Sequence, residues 1–443
     1  MDTYLIRTFG CQMNKHDSER VAGLLNAQGM TPVSVAEDAD VVVFMTCCVR
    51  ENADERLRGQ ARSLKSTKAV RPGQLIAVGG CIGQRDGRRL VEQVPHLDVV
   101  FGTHNVASLP ALLETARSQR LPQVEVWPEA DGFASDLPTQ REHPWHAWVP
   151  ITIGCDNFCT YCIVPYVRGR EKARPIEQIE AEVRQLVDDG VREVTLLGQN
   201  VNSYGRDLYG EPRFAQVLRV VADTGVDRIR FATSHPKDLS DDTIAAMAEV
   251  PAVMPYLHLP IQSGSDNVLA AMNRRYTRED YLGLVSRVRD AVPGLALSTD
   301  VIVGFPGETE SDFDDTMDVL QQVGFDQAFT FIYSPREGTP AAALGEQVSR
   351  EVSQPRFDRL VELVHSSAFA NNRGLLGSVQ PVLFEGVSKR DERTLAGRTP
   401  TNKVVHVAVP EGRLGAEFAG RILDAEITEA QTWFLGGKLL SAE

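Results

Sequence analysis

Apolar and polar positions along this chain fall into blocks that predict most of its elements. Tyr4 to Phe9 reads as a strand, and Asp17 to Gln28 follows with Val21, Leu24 and Leu25 at helical spacing. Val41 to Met45 and Gln74 to Val78 repeat the strand pattern. This βαβ alternation predicts an open parallel sheet whose strand carboxyl ends share one ligand-binding edge. A second series of strands covers Ala147–Ile153, Val194–Leu197, Ile229–Ala232, Leu257–Ile261, Leu297–Val303 and Ala328–Tyr333. Helical patterns such as Ile176–Asp189 and Ser311–Val323 lie between them. Polar or glycine-rich loops after six strands fit an open or partial α/β barrel with its site at the strand carboxyl ends. Helical character fades near Asn371–Gly374, and short β-rich runs follow at Gln380–Phe384, Val404–Val409 and Ala425–Thr428. Glycines between those runs predict a small β-barrel.

The expected architecture is therefore α/β, in three domains. Residues 1–120 form the open parallel-sheet domain, and 121–145, rich in Pro, Asp and Glu, form a linker. Residues 146–373 form the partial barrel and 374–443 the small β-barrel.

Composition adds bounds. The chain of 443 residues is 42% hydrophobic and 24% charged, with no low-complexity tract. The apolar run Val41 to Val49 is far short of the roughly 20 residues that span a bilayer. The first twenty residues lack the apolar core of a signal peptide. A cytoplasmic protein with no membrane partner is expected. A net charge of −14 argues against a broad basic surface, so any RNA site must be a local patch. Seven cysteines in such a protein point to metal or redox chemistry rather than disulfides.

The cysteines carry the chemistry. Cys155, Cys159 and Cys162 are spaced C-x3-C-x2-C with no fourth thiol close behind. Three thiolates leave one iron of a four-iron cluster open to a small molecule. Structural zinc would need a second downstream pair, and none follows. Cys11, Cys47 and Cys81 form a second set, 36 and 34 residues apart, each just past a predicted strand. As buried free thiols they would be ordinary; meeting at one sheet edge, they suit a zinc or cluster site. Cys48 beside Cys47 complicates the choice, because neighbours on an extended chain point to opposite sides. The residue spacing alone does not decide between them. Loop residues Gln199, Asn200, Ser234 and Gln262 are polar groups suited to an amino-acid carboxylate, an ammonium or a ribose. Val303 and Gly304 are placed to lie against an adenine, with turn and capping residues as the plainer reading. Neither GxGxxG nor Walker A occurs. The segment Arg393–Lys403 places three cations in one expected loop, suited to phosphates.

The cysteine motif, with Phe158 and Tyr161 between its thiols, resembles that of radical S-adenosylmethionine (SAM) enzymes. The whole order of Cys11, Cys47, Cys81, the triad and a β-rich tail resembles the methylthiotransferase family across essentially the full chain, above all its tRNA (MiaB-type) branch. TFGCQMNKHDSE, TCCVRENADER, LGQNVNSYG, HLPIQSGSDNVLAAMNRRYTRE, STDVIVGFPGETESDF and FTFIYSPREGTPAA carry the likeness. LGQNVNSYG separates this branch from those acting on ribosomal protein or on threonylcarbamoyl-adenosine. The tail is similar to a TRAM domain, with GRTPTN at its GRT-x-x-N motif. Two departures stand out: Cys48 replaces a small residue, and Asp156 stands where Asn is common.

The resemblance implies a tRNA-2-methylthio-N6-isopentenyladenosine synthase with two [4Fe-4S] clusters and SAM. The cluster on Cys155, Cys159 and Cys162 would bind and cleave SAM, giving a radical that takes hydrogen from C2 of the isopentenylated adenosine. The cluster on Cys11, Cys47 and Cys81 would supply the methylated sulfur, with Cys48 the extra thiol. Both clusters would face one cavity, with the first sheet edge over the barrel mouth. Arg398, Asn402 and Lys403 would hold RNA phosphates. A low-potential electron donor such as flavodoxin or ferredoxin, a sulfur donor and a monomeric state are further expectations. The same chemistry on a ribosomal protein or another tRNA base is one alternative; a non-catalytic iron–sulfur RNA-binding protein is another.

Overall fold

The computed structural model describes residues 1–48, 51–129, 132–133 and 137–441. Val49 and Arg50 of the second motif, five residues of the linker (130–131 and 134–136) and the last two of the tail lie outside the described residues.

The first sheet holds β1 (Thr3–Thr8), β2 (Thr31–Pro32), β3 (Val41–Thr46), β4 (Leu75–Gly80), β5 (Val99–Phe101) and β6 (Gln123–Glu125). Its order is β2-β1-β3-β4-β5-β6, all parallel. β3 and β4 are buried along their whole length. Helices cover both faces, so these strands are apolar without alternation: Val42 and Phe44 enter one core layer, Val41, Val43 and Met45 the other. β6 belongs to the stretch read as linker and completes the sheet edge. β1, β3 and β4 are adjacent, so Cys11, Cys47 and Cys81 leave the same edge side by side.

The first helix, Gln12–Ala27, starts five residues before the expected Asp17. Its opening turns bury Asn14, His16, Asp17 and Arg20 with Met13 as the one apolar side chain among them, so hydrophobic spacing does not mark them.

The central domain contains β7 (His146–Pro150), β8 (Thr152–Ile153), β9 (Lys172–Ala173), β10 (Glu193–Leu197), β11 (Arg228–Phe231), β12 (Tyr256–His258), β13 (Ala296–Val303) and β14 (Gln327–Ile332). Two parallel sheets, β11-β10-β7 and β12-β13-β14, are joined through the Ile229–Val253 bridge into a six-stranded partial barrel. The outward positions (Val149, Leu196, Ile229, Leu257, Leu297, Val301) pack on the helices. The expected strand Ala147–Ile153 is two strands. β7 stops at Pro150, which has no N–H for a further parallel bond, and β8 turns to pair antiparallel with β9. No helix among the described residues is long and apolar enough to cross a membrane.

Helix Arg350–Arg373 leads to the tail, a closed barrel of β15 (Val379–Ser388), β16 (Asp391–Arg398), β17 (Val404–Ala408), β18 (Ile422–Ala430) and β19 (Leu435–Leu439) in the order β15-β16-β17-β19-β18. Most of the expected cationic loop 393–403 is therefore strand β16. Only Leu395 and Gly397 turn fully inward there, a signal too sparse to read as alternation.

The tail covers the amino-terminal end of the partial barrel. Arg228, first residue of β11, donates to the carbonyls of Arg398 (3.0 Å) and Pro381 (2.6 Å). Arg230 donates to those of Thr399 (2.8 Å) and Pro400 (3.0 Å). The Gly420 α-carbon packs on Trp145, just before β7.

Candidate functional site

Cys11 caps the first helix, Cys47 leaves β3 and Cys81 opens the helix Cys81–Asp86. The glycines that precede two of them permit the close approach. Gly10 has φ +123°, and a side chain there would strike Cys47. Gly80 has φ +87° and lies against the Thr46 carbonyl. The chain bends at Cys48 instead of running on as strand, so alternation between the adjacent thiols does not apply. Cys47 hydrogen-bonds Cys11, and Cys48 hydrogen-bonds Cys81. Four thiols thus share one pocket. The hydrogen bond from Cys47 pulls Cys11 down to about 6, and that from Cys48 pulls Cys81 down to about 7.

Arg168, a residue without a sequence signal of its own, completes this pocket. Its Nη2 lies 3.2 Å from both Asn14 Oδ1 and Asp17 Oδ2, and it also bonds Cys81. Burial opposes its charge, but the facing Cys81 and Asp17 hold it firmly protonated. Arg168 ends the helix Val164–Arg168, which begins two residues after Cys162. Ile163 and Val167 sink into the core of the first sheet, and Thr103 Oγ1 donates to the Val167 carbonyl at 2.9 Å. The chain therefore runs straight from one cysteine set into the other.

The loop bearing Cys155, Cys159 and Cys162 is pinned from several sides. Gly154 N donates to Gln199 Oε1 at 2.5 Å, Cys155 N to the Gly169 carbonyl and Thr160 N to the Met272 carbonyl. Asn273 Nδ2 holds the Phe158 carbonyl, and Phe158 itself has φ +48°. Burial pushes Cys155 up to about 11 and Cys162 up to about 12, so both thiols hold their protons near neutral pH, and binding a metal there releases them. The buried Arg274 places Nη1 3.7 Å from Cys159 Sγ, a cation beside the site of thiolate charge. Among the described residues no three ligands lie close enough for a single metal ion. An iron–sulfur cluster spreads its thiolates wider, and all-cysteine donors suit it.

Polar side chains around this loop fit a further ligand. Thr152 Oγ1, Glu171 Oε1, Asn200 Oδ1, Asn202 Nδ2 and Ser234 Oγ are buried and have no hydrogen-bond partner among the described residues. Such groups cost about 1–3 kcal/mol each when unmet, and five together mark a place for polar ligand atoms. Burial pushes the Glu171 carboxyl up to about 7. Asn200 and Ser234 were expected here; Thr152 and Glu171 were not, since each is unremarkable until the fold assembles them. Gln262 is buried with φ +71° and bridges to Val301. Val303 differs from the expectation: its side chain is in the core behind the sheet. Gly304 donates its N–H to Glu308 Oε2, with its α-carbon against Ser353. An adenine would meet backbone alone at these two positions.

The tail residues also differ. Lys403 Nζ binds Asp326 Oδ1 (2.6 Å) and Asn372 Oδ1 (2.8 Å) in a largely buried pair. Asn402 hydrogen-bonds Tyr256, and Arg398 Nε pairs with Glu385 Oε1. Lys403 docks the tail on the barrel instead of facing solvent, because a lysine at a buried junction needs its counter-charge there, while the Arg398 side chain stays partly exposed. Lys389, Arg390 and Arg393, at the β15–β16 turn, are exposed.

Comparison with known proteins follows the same divisions. Profiles match for the radical SAM superfamily over 149–320, the uncharacterized protein family UPF0004 over 3–102 and the TRAM domain over 373–440. The chain is 50% identical to the tRNA-2-methylthio-N(6)-dimethylallyladenosine synthase of Streptomyces viridosporus, across 97% of this chain and 85% of that one. It is 52% identical to the protein of that name from Acidothermus cellulolyticus, across 93% and 84%. In fold it is similar to the radical S-adenosylmethionine methyltransferase TsrM of Kitasatospora setae, with TM-score 0.54 and 14% identity over 77% of each chain.

Proposed function

Since the chain belongs to the radical SAM methylthiotransferase family, we propose that it methylthiolates C2 of N6-dimethylallyladenosine in tRNA. The observation that carries the reading is the pairing of two thiol pockets joined by one short segment ending in Arg168.

Cys155, Cys159 and Cys162 hold one [4Fe-4S] cluster, and Cys11, Cys47 and Cys81 hold the other. When bound, these clusters and SAM supply the radical and sulfur chemistry of the reaction. The protein's own residues fix the geometry. Gln199 orients the cysteine loop through Gly154 N, and Asn200, Ser234, Glu171 and Gln262 supply polar contacts for SAM. Arg274 and Arg168 offset thiolate charge at the two sites. Arg168, bound to Asp17 and Asn14, also fixes the first domain over the barrel's carboxyl rim.

The substrate presents a single-stranded anticodon loop whose base can be unstacked and offered to the rim. Exposed Lys389, Arg390 and Arg393 join the partly exposed Arg398 in the phosphate role first given to Arg398, Asn402 and Lys403. A flavodoxin- or ferredoxin-like donor delivers the electron, a separate donor restores the sulfur, and the protein acts as a monomer in the cytoplasm. Nucleoside mass spectrometry of tRNA from a strain lacking the gene is the test: loss of the methylthio nucleoside, restored by this chain, is the expected result. Unchanged methylthio content overturns the reading. Reconstitution with ribosomal protein or threonylcarbamoylated tRNA distinguishes the alternatives.

A further inference from the structure

The inner face of the partial barrel is polar and open where its outer face is sealed. Along β13, Leu297, Thr299, Val301 and Val303 are fully buried, whereas Asp300 and Ile302 on the inner face are partly exposed. The parallel register sets Asp300 beside Phe329, and Ile302 beside Phe331, on that same face. The Asp300 side chain is 28% exposed, and Phe329 is 38% exposed. A carboxylate and a phenyl ring left uncovered inside a barrel, below two thiol pockets, are arranged for a ligand with both a polar edge and an apolar one.

A relay of polar contacts leads to the carboxylate. Tyr256 and Ser298 hydroxyls lie 2.7 Å apart, Ser298 Oγ lies 2.9 Å from His258 Nδ1, and His258 Nε2 lies 3.5 Å from Asp300 Oδ2. With Tyr256 donating to Ser298 and Ser298 to Nδ1, the imidazole carries its proton on Nε2, and the gap to Asp300 is longer than an N–H···O hydrogen bond. Asp300 Oδ1 has no hydrogen-bond partner among the described residues. Asn402 of the tail bonds Tyr256 at the far end, so the relay is anchored on the barrel floor. His258 also meets Phe329 edge-on, with ring centroids 5.9 Å apart.

We propose that His258, Asp300 and Phe329 form the pocket that reads the N6 edge of the substrate base, Asp300 accepting the N6–H and Phe329 covering the dimethylallyl group. The proposal rests on the reading that the substrate is N6-dimethylallyladenosine in tRNA. Its C2 must face the thiol pockets at the rim, which turns the N6 substituent inward. Asp300 lies three residues below Val303 at the rim, about 10 Å along the strand, deep enough for an extruded base. A site that hydrogen-bonds a substrate N–H rejects an analogue lacking it, because the buried acceptor is then unmet.

Binding of full-length reconstituted protein to three anticodon stem-loop RNAs tests this. One carries N6-dimethylallyladenosine, one the same base with N6–H replaced by N6-methyl, and one plain adenosine. The wild type is expected to bind the first about tenfold or more tightly than either other. Asp300→Ala should lose the preference for the N–H and keep that for the dimethylallyl group. Phe329→Ala should do the reverse, and Phe329→Leu, which keeps apolar bulk, should restore most of it. A crossed pattern of this kind does not arise from general loss of packing. Variants that keep both preferences, or lose both together, overturn the pocket. A wild type that fails to methylthiolate the first RNA overturns the functional reading instead.

Discussion

Arg168 and Asp17 stand 151 residues apart in the chain and meet in a buried ion pair, with Arg168 Nη2 3.2 Å from Asp17 Oδ2. One comes from the segment after the radical SAM cysteines, the other from the helix that Cys11 caps. The pair joins the two pockets rather than stabilising either alone. Arg168→Met leaves the buried Asp17 with His16 as its remaining partner, an expected loss of about 3 kcal/mol by chemical denaturation. Iron bound at the first pocket should fall while that at Cys155, Cys159 and Cys162 persists. Arg168→Lys keeps the charge but not the planar fork, and should fall between.

Iron and acid-labile sulfide analysis separates the two pockets. The wild type should hold about eight irons after anaerobic reconstitution, four per cluster. Changing Cys155, Cys159 and Cys162 together to Ala, or Cys11, Cys47 and Cys81 together to Ala, should each remove about half. Cys48→Ser should keep the full complement and Cys47→Ser should not. The opposite result would make Cys48 the ligand.

Glu171 gives a pH dependence with a defined sign. Its carboxyl sits near 7 in the folded protein, raised by burial from the ordinary 4.5. The folded state therefore holds a proton that the unfolded chain releases, and the stability from this group declines as pH rises from about 4.5 to 7. The change is on the order of 3 kcal/mol and is complete above that window. Glu171→Gln should flatten that part of the stability profile, measured by denaturant titration at pH 5 and pH 8. An unchanged slope would show that Glu171 is ionised throughout.

Lys403 tests the docking role of the tail motif. Lys403→Met removes the bonds to Asp326 and Asn372, with an expected cost on the order of 2 kcal/mol. The tail should become more sensitive to limited proteolysis, while the salt dependence of tRNA binding stays as it was. Lys389→Ala, Arg390→Ala and Arg393→Ala should instead reduce the salt dependence, by about 0.7–0.9 in logarithmic slope for each phosphate no longer neutralised. A reduced slope from Lys403→Met would return that residue to the RNA.

What could be read from the chain alone follows from where its signals are local. Cys155, Cys159 and Cys162 lie within one loop, and strands β3 and β4 are strong apolar runs, so both were legible. The sheet order brings Cys11, Cys47 and Cys81 together, and that too followed from the βαβ pattern. Arg168, Arg274 and Glu171 were not legible, because a buried charge gains its meaning from partners remote in sequence. Lys403 misled for the same reason: a lysine in a polar loop looks exposed until Asp326, 77 residues away, is found against it. The first turns of helix Gln12–Ala27 were hidden because they bury ions at a domain junction.

The tail that sits beneath Arg228, Arg230 and Tyr256 makes the central barrel a cup rather than a tube. A floor of this kind closes one route. Small molecules and the substrate base reach the interior from the carboxyl rim or from the unpaired side between β7 and β14, never through the amino-terminal end. Loosening the tail would open a third entrance for water, so the grip of Arg228 and Arg230 also keeps the interior dry.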